Sequence, residues 1–163
     1  MQTYGAKSSS VFGTYGQLVW EGKRKGFVHL DIKSENFVST HARDQNNNSI
    51  FKLIDFGTSE RIENEDSKVL SNEVLGTDVY MAPELSFESS TVWVSKKADV
   101  YSFGVTIYTL LYSPNHKFDF IDEGKFNPKF EHFNRLILMC IEEEVRARPT
   151  MNEVLGILKE IKV

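Results

Sequence analysis

His29-Leu30-Asp31-Ile32-Lys33-Ser34-Glu35-Asn36 is the stretch on which the reading of this 163-residue chain turns. It is a polar run entered from the apolar pair Phe27-Val28, and it puts a carboxylate, an ammonium and a carboxamide close together in sequence. Nineteen positions beyond Asn36 (55 − 36) stands Asp55-Phe56-Gly57, directly after the apolar pattern Ile50-Phe51-Lys52-Leu53-Ile54. Gly76-Thr77-Asp78-Val79-Tyr80-Met81-Ala82-Pro83-Glu84 follows. Any one of these strings arises by chance; all three in this order, in a loop–strand–loop setting, form a strong signal.

Working outward, Phe37-Val38 and Ile50 to Ile54 read as two strands joined by the polar linker His41 to Asn48. From Gly57 to about Val74 the chain is charged and Ser-bearing with no period, which predicts a mobile loop. Beyond Lys96 the texture is helical. Val100, Phe103, Ile107 and Leu110 recur at helical spacing with further apolar residues on other faces, so this helix is expected to be central. Phe130, Phe133, Ile137 and Cys140 make a second stripe. Thr150-Met151-Asn152-Glu153, just after Pro149, has capping-box spacing and opens a last helix with Val154, Leu155, Leu158 and Ile161 on one face. The class is therefore α+β, with short strands and loops first and helices second.

Apolar residues make up 40% and charged residues 26%, which suits a folded domain and excludes a disordered tail. A net charge of −4 and a pI near 5.6 give no electrostatic basis for gripping nucleic acid or an anionic membrane. The longest nearly apolar run, Phe103 to Tyr112, is about half of a bilayer span. The first residues lack an apolar leader pattern, and one cysteine, Cys140, excludes a disulfide framework, so a reducing, cytoplasmic setting is expected. Cys140 is expected in the core, and His41, His116 and His132 lack metal-ligand spacing.

The three strings resemble the eukaryotic protein kinase family, specifically its large C-terminal lobe. The resemblance implies a protein-kinase-like, mainly helical C-lobe with short β-hairpins, and ATP and magnesium as cofactors. Asp31 would accept the proton of a substrate hydroxyl, and Lys33 would neutralise the transferring phosphate. Asn36 and Asp55 would hold magnesium, so Asp31, Lys33 and Asn36 are the catalytic candidates, with Lys33, Asn36 and Asp55 also on the nucleotide side. Lys33 and Gly76-Thr77 resemble the serine/threonine-specific pattern, implying protein Ser/Thr hydroxyls as substrate. Lys97 to Gly104 and Arg146 to Thr150 resemble the tyrosine-kinase-like branch. The family implies that Asp99 anchors the catalytic-loop backbone and that Arg148 pairs with Glu84. Leu30 stands where the family has an arginine that receives a phosphate from the following loop, where Ser67, Ser71 and Thr77 lie. No simple phosphorylation on-switch is expected, and Leu30 serves equally as buried apolar filler.

The front end, 1–26, admits two readings. Gly13-Thr14-Tyr15-Gly16 and the residues up to Gly26 resemble half of a kinase glycine-rich loop with its strand, making Gly13 and Gly16 nucleotide-cradling candidates. A plain hairpin turn explains the glycines as well. The rival takes Lys23-Arg24-Lys25-Gly26-Phe27-Val28 as the approach to the catalytic loop from a preceding helix. On either reading the chain resembles a kinase with an internal deletion at Gly26–Phe27: 1–26, a glycine-loop remnant or a poorly ordered segment, and 27–163, a kinase C-lobe with most of the N-lobe missing. The central helix would then lose a packing partner, ATP would find half a cleft, and phosphotransfer would be impaired. The alternative function is a pseudokinase-like binding module, with residues 85–94 and the helical C-terminal end as contact surfaces and a partner protein covering the exposed lobe.

Overall fold

In a computed structural model, residues 4–161 are described, apart from 46, 48, 65–68, 72–75, 86–91 and 114–120. Ser67, His116 and most of the segment 85–94 thus lie outside the described residues. Helix α1 spans Tyr4–Arg24 and leads to strand β1, Phe27–Val28. Strands β2, Phe37–Arg43, and β3, Ser49–Leu53, form the expected hairpin, in the register Phe37↔Leu53 and Val38↔Lys52. Strand β4, Glu60–Arg61, returns to pair with β1. Strands β5, Val69–Ser71, and β6, Val92–Val94, form a third antiparallel pair. Helices α2, Lys97–Tyr112, α3, Glu131–Cys140, and α4, Met151–Glu160, complete the α+β architecture.

The front segment is where the first sequence reading fails. Residues 4–24 are one helix, not a strand–loop–strand. Phe12, Tyr15 and Val19, at i, i+3 and i+7, place one face in the core. The Tyr15 ring stacks on Phe37 at 4.0 Å, and Phe12 meets Phe133 edge-on at 5.1 Å. These aromatic contacts offset the cost of three interior glycines, Gly13, Gly16 and Gly22, each about 1 kcal/mol in a helix interior. Gly16 has a packing role: a Cβ there would lie 3.1 Å from side-chain atoms of both Leu155 and Met151 on α4.

Gly26, with φ 83°, turns the chain out of α1 and its carbonyl accepts from Ile62 N at 2.8 Å. The junction at Gly26–Phe27 is thus a helix-to-strand turn, and the chain approaches β1 from a helix, as in the rival reading of the front end. The central helix does not lack a partner: Phe103 and Ile107 are fully buried in one cluster with Phe12, Tyr15 and Val19.

Helix α2 is central as expected, although Leu110 faces outward at 37% exposure. Helix α4 starts with the expected capping box, since Thr150 Oγ1 accepts from Glu153 N and the Glu153 carboxylate accepts from Thr150 N. Cys140 is buried. Residues 57–74 contain β4 and β5 rather than forming one unpaired loop. A second, smaller apolar cluster of Val28, Leu30, Ile62, Leu85, Val92 and Val94 lies under these short strands. Among the described residues, no helix is long and apolar enough to cross a membrane.

Candidate active site

The polar stretch 29–36 is held from below by α2. Asp99, 1% exposed, accepts His29 N on one carboxylate oxygen at 2.9 Å and Leu30 N on the other at 2.8 Å. This is the anchoring expected of Asp99. One and two turns further along the same face, Ser102 Oγ donates to Tyr80 O at 2.7 Å and Thr106 Oγ1 to Ile32 O at 3.3 Å. Ser102 and Thr106 were not singled out in the sequence. Their signal was there: polar residues at i, i+3 and i+7 along a helix otherwise too apolar to expose them.

So anchored, the loop takes an uncommon backbone. Leu30 sits at φ 67°, a conformation that costs a leucine, and its side chain is buried in the second cluster. The apolar-filler reading of Leu30 is the one realised. His29 fixes the next strand: its Nδ1 accepts Asp31 N at 3.3 Å, which leaves Nε2 to donate to Ile54 O at 3.0 Å. Its ring lies 4.8 Å from that of Phe56, and its carbonyl accepts from Thr58 Oγ1 at 2.7 Å.

The candidate side chains gather above this platform. Lys33 Nζ lies 2.7 Å from Asp31 Oδ2 and donates to Thr77 Oγ1 at 2.7 Å. Thr77 Oγ1 in turn donates to Asp31 Oδ1 at 2.9 Å. Asn36 Nδ2 donates to the Asp31 carbonyl at 2.8 Å and to Oδ2 at 3.0 Å. Burial works against the charge on Asp31, but the hydrogen bonds from Lys33, Thr77 and Asn36 outweigh it and hold the carboxyl below the ordinary aspartate range. Asp31, Lys33 and Asn36 are therefore in direct contact. Thr77, which the sequence offered as a specificity marker, is the unforeseen fourth member.

Asp55 joins from the next strand. Ile54 N donates to Asn36 O at 3.0 Å, which sets Asp55 one residue from the Asn36 backbone. Asp55 has φ 62°, an exposed carboxylate, and no partner for it among the described residues. The Asn36 Oδ1 likewise accepts from none of them. These are hard oxygen donors of the kind magnesium takes, and one or two of them suffice when phosphates complete the shell. No group of three or more His, Cys, Asp or Glu among the described residues forms a metal cage of its own, so a cation held here would draw on ligand oxygens. The residues fit magnesium with a nucleotide.

Gly13 and Gly16 do not join this group. They lie inside α1, Gly16 packed against α4, where backbone N–H groups are spent on the helix ladder and cannot cradle a phosphate. Away from the loop, Arg148 and Glu84 form the expected pair, with two bonds of 2.7 Å.

Comparison with known proteins identifies the family. The family model described as Protein kinase domain matches residues 23–157. The chain is 36% identical over 138 residues to the serine/threonine-protein kinase PSK2 of Saccharomyces cerevisiae, covering 80% of this chain and 11% of that protein. It is 29% identical over 141 residues to the serine/threonine-protein kinase MPS1 of Encephalitozoon cuniculi, covering 79% and 23%. It is 30% identical over 143 residues to the probable serine/threonine-protein kinase fnkE of Dictyostelium discoideum, covering 85% and 10%. The chain thus spans between 10% and 23% of the length of these relatives. With the match over residues 23–157, the chain belongs to the protein kinase domain family.

Proposed function

We propose that this chain carries the catalytic-loop half of a serine/threonine protein kinase and that Asp31, Lys33, Asn36 and Asp55 serve phosphoryl transfer from Mg-ATP to a protein hydroxyl. The observation that carries the reading is the Asp31–Lys33–Thr77 triangle beside the unused oxygens of Asn36 and Asp55. When bound, Mg-ATP supplies the phosphoryl group and the divalent charge that offsets its negative oxygens. Asp31, kept ionised, accepts the hydroxyl proton and orients that oxygen. Lys33, 2.7 Å from the Asp31 carboxylate, would neutralise negative charge on the transferring phosphate. The Asn36 and Asp55 oxygens hold the cation.

The serine/threonine preference rests on Lys33 with Gly76-Thr77 and on the named relatives. The strings at 97–104 and 146–150 support the tyrosine-kinase-like branch, and a single buried cysteine fits a cytoplasmic setting. A second reading, a binding module, draws on the apolar side chains beside Asp55. Phe27, Ile54 and Phe56 are all exposed, and Phe27 and Phe56 border a cavity of 540 Å³ that a partner protein would cover. With most of an N-lobe absent from these 163 residues and only half a cleft for ATP, the chain alone is expected to transfer phosphate weakly.

Manganese-ATP separates the two readings without relying on turnover. Added to the chain in place of Mg-ATP, it is expected to broaden the NMR signals of Asn36, Asp55 and Thr77, and Asp55→Ala is expected to abolish the effect. Signals that stay sharp at millimolar manganese-ATP would overturn the nucleotide reading in favour of the module.

A further inference from the structure

We propose that Lys23 and Lys96 are positioning residues of the candidate site: each donates a hydrogen bond to the main-chain carbonyl of the other, and this clasp fixes the start of α2, and with it Asp99, under the catalytic loop. The consequence for activity rests on the phosphoryl-transfer reading; the clasp itself does not. Lys23 Nζ donates to Lys96 O, and Lys96 Nζ donates to Lys23 O at 3.0 Å, across 73 positions of sequence. Lys23 is 2% exposed and Lys96 4%, a degree of burial that lysine rarely reaches.

Local rules account for only one of the two. Lys23 stands in the last turn of α1, where a cation meets the negative end of the helix dipole, and it continues the buried stripe of Phe12, Tyr15 and Val19. Lys96 stands immediately before α2, where a cation meets the positive end and where a short polar side chain would cap the helix. The Lys96 side chain makes no capping bond. It crosses instead to the Lys23 carbonyl, an acceptor left open at the end of α1 that also takes Gly26 N at 3.0 Å. A lysine that goes against its own helix and is buried nevertheless is explained by what it joins.

What it joins is the frame of the site. Asp99 follows Lys96 by three positions, in the first turn of α2, and its carboxylate accepts His29 N and Leu30 N. His29 follows Lys23 by six positions, through the turn at Gly26. Clasp and carboxylate therefore close a small ring, in which the path from α1 to the catalytic loop is tied to the start of α2 at both ends. Phe103 and Ile107 also hold α2 to the cluster that contains the α1 face, but that packing is non-directional and lies a turn or more beyond Asp99. The clasp supplies directional bonds at the end that carries the carboxylate.

NMR of the full chain tests this, reading the amide proton shifts and exchange rates of His29 and Leu30, which report the two bonds to Asp99. Lys96→Met keeps an unbranched chain of similar length and removes the donor; Lys23→Met is the second variant, in case the first does not fold. Leu158→Ala, which opens the core at α4, is the control for a general loss of stability. Each lysine variant is expected to move both amides upfield and to speed their exchange about tenfold relative to the amides of α4, as the loss of one charged hydrogen bond dictates. Leu158→Ala is expected to leave both shifts in place. Lysine variants with wild-type shifts at His29 and Leu30, or a Leu158→Ala chain that moves them as far, would overturn the proposal. Failure of both lysine variants to fold would also overturn it, by assigning the pair to general stability. Shifts that move as expected in a chain blind to manganese-ATP would retain the clasp and remove only the phosphoryl-transfer reading.

Discussion

Arg148 and Glu84 meet fork to fork, Nη1 on Oε1 and Nη2 on Oε2, each at 2.7 Å. Arg148 is 1% exposed and also donates to the Glu142 carbonyl at 2.6 Å, while its guanidinium lies 5.0 Å from the Tyr101 ring centre. The pair joins the turn at Pro83–Leu85 to the approach to α4, two regions 64 residues apart. Glu84→Gln leaves the buried guanidinium without its counter-charge, and the expected loss is about 3 kcal/mol. Urea unfolding reads it. Arg148→Met added to Glu84→Gln is expected to recover part of that loss, because the unpaired charge is then gone; a purely additive double variant contradicts the buried-charge account.

Asp99→Asn tests the platform under the site. Asparagine keeps one oxygen for two backbone donors, so one of the His29 and Leu30 amides is left buried and unpaired. A cost of about 1–3 kcal/mol is expected. Amide exchange at 29 and 30 is expected to accelerate more than exchange in α4, which shares no bond with Asp99. Uniform acceleration across the chain would show that Asp99 serves general stability and not the loop.

Much of this was legible in the sequence, for physical reasons that differ by element. The hairpin β2–β3 and the helices α2, α3 and α4 announce themselves through apolar periodicity and, for α4, a capping box read from Thr150 and Glu153. The Asp31–Lys33–Asn36 contact is legible because the residues are close in sequence. Helix α1 was hidden by Gly13, Gly16 and Gly22, which lower local propensity, although Phe12, Tyr15 and Val19 already carried the helical period. Strand β5 was hidden because its partner, β6, begins 21 positions after Ser71, and a three-residue strand has no period of its own. Thr77 on Asp31 is likewise a contact across 46 positions.

The Asp31 carboxyl is held below the usual aspartate range because donors from Lys33, Thr77 and Asn36 favour its charged form over the opposing effect of burial. A group whose folded pKa is depressed contributes stability above its unfolded pKa, about 3.9, and that contribution is lost as pH falls through the lower folded value. Thr77→Val removes one donor from the carboxylate. The Asp31 titration, followed by carbon NMR of its carboxyl, is then expected to move up towards the ordinary range, and acid unfolding to begin at higher pH. A midpoint unchanged in Thr77→Val would mean that the 2.9 Å bond contributes nothing to the charge state.

Gly104 on α2 makes room for α3. A Cβ at that position would lie 2.6 Å from the Cys140 Cβ and 3.2 Å from Ile141 Cγ2, so Gly104→Ala forces the helices apart. Overpacking of this kind costs about 1–3 kcal/mol, against which the better helix propensity of alanine returns about 1 kcal/mol. The net is a destabilised chain with a looser α2–α3 contact, and Cys140 reports it directly. Burial pushes its thiol up to about 12, so the native protein is expected to resist iodoacetamide at pH 8 and to react once unfolded. In Gly104→Ala the labelling rate below the melting temperature is expected to rise by the factor that the lost stability dictates, about tenfold per 1.4 kcal/mol. A rate unchanged from wild type would show that the close approach at 2.6 Å is relieved without cost to the core.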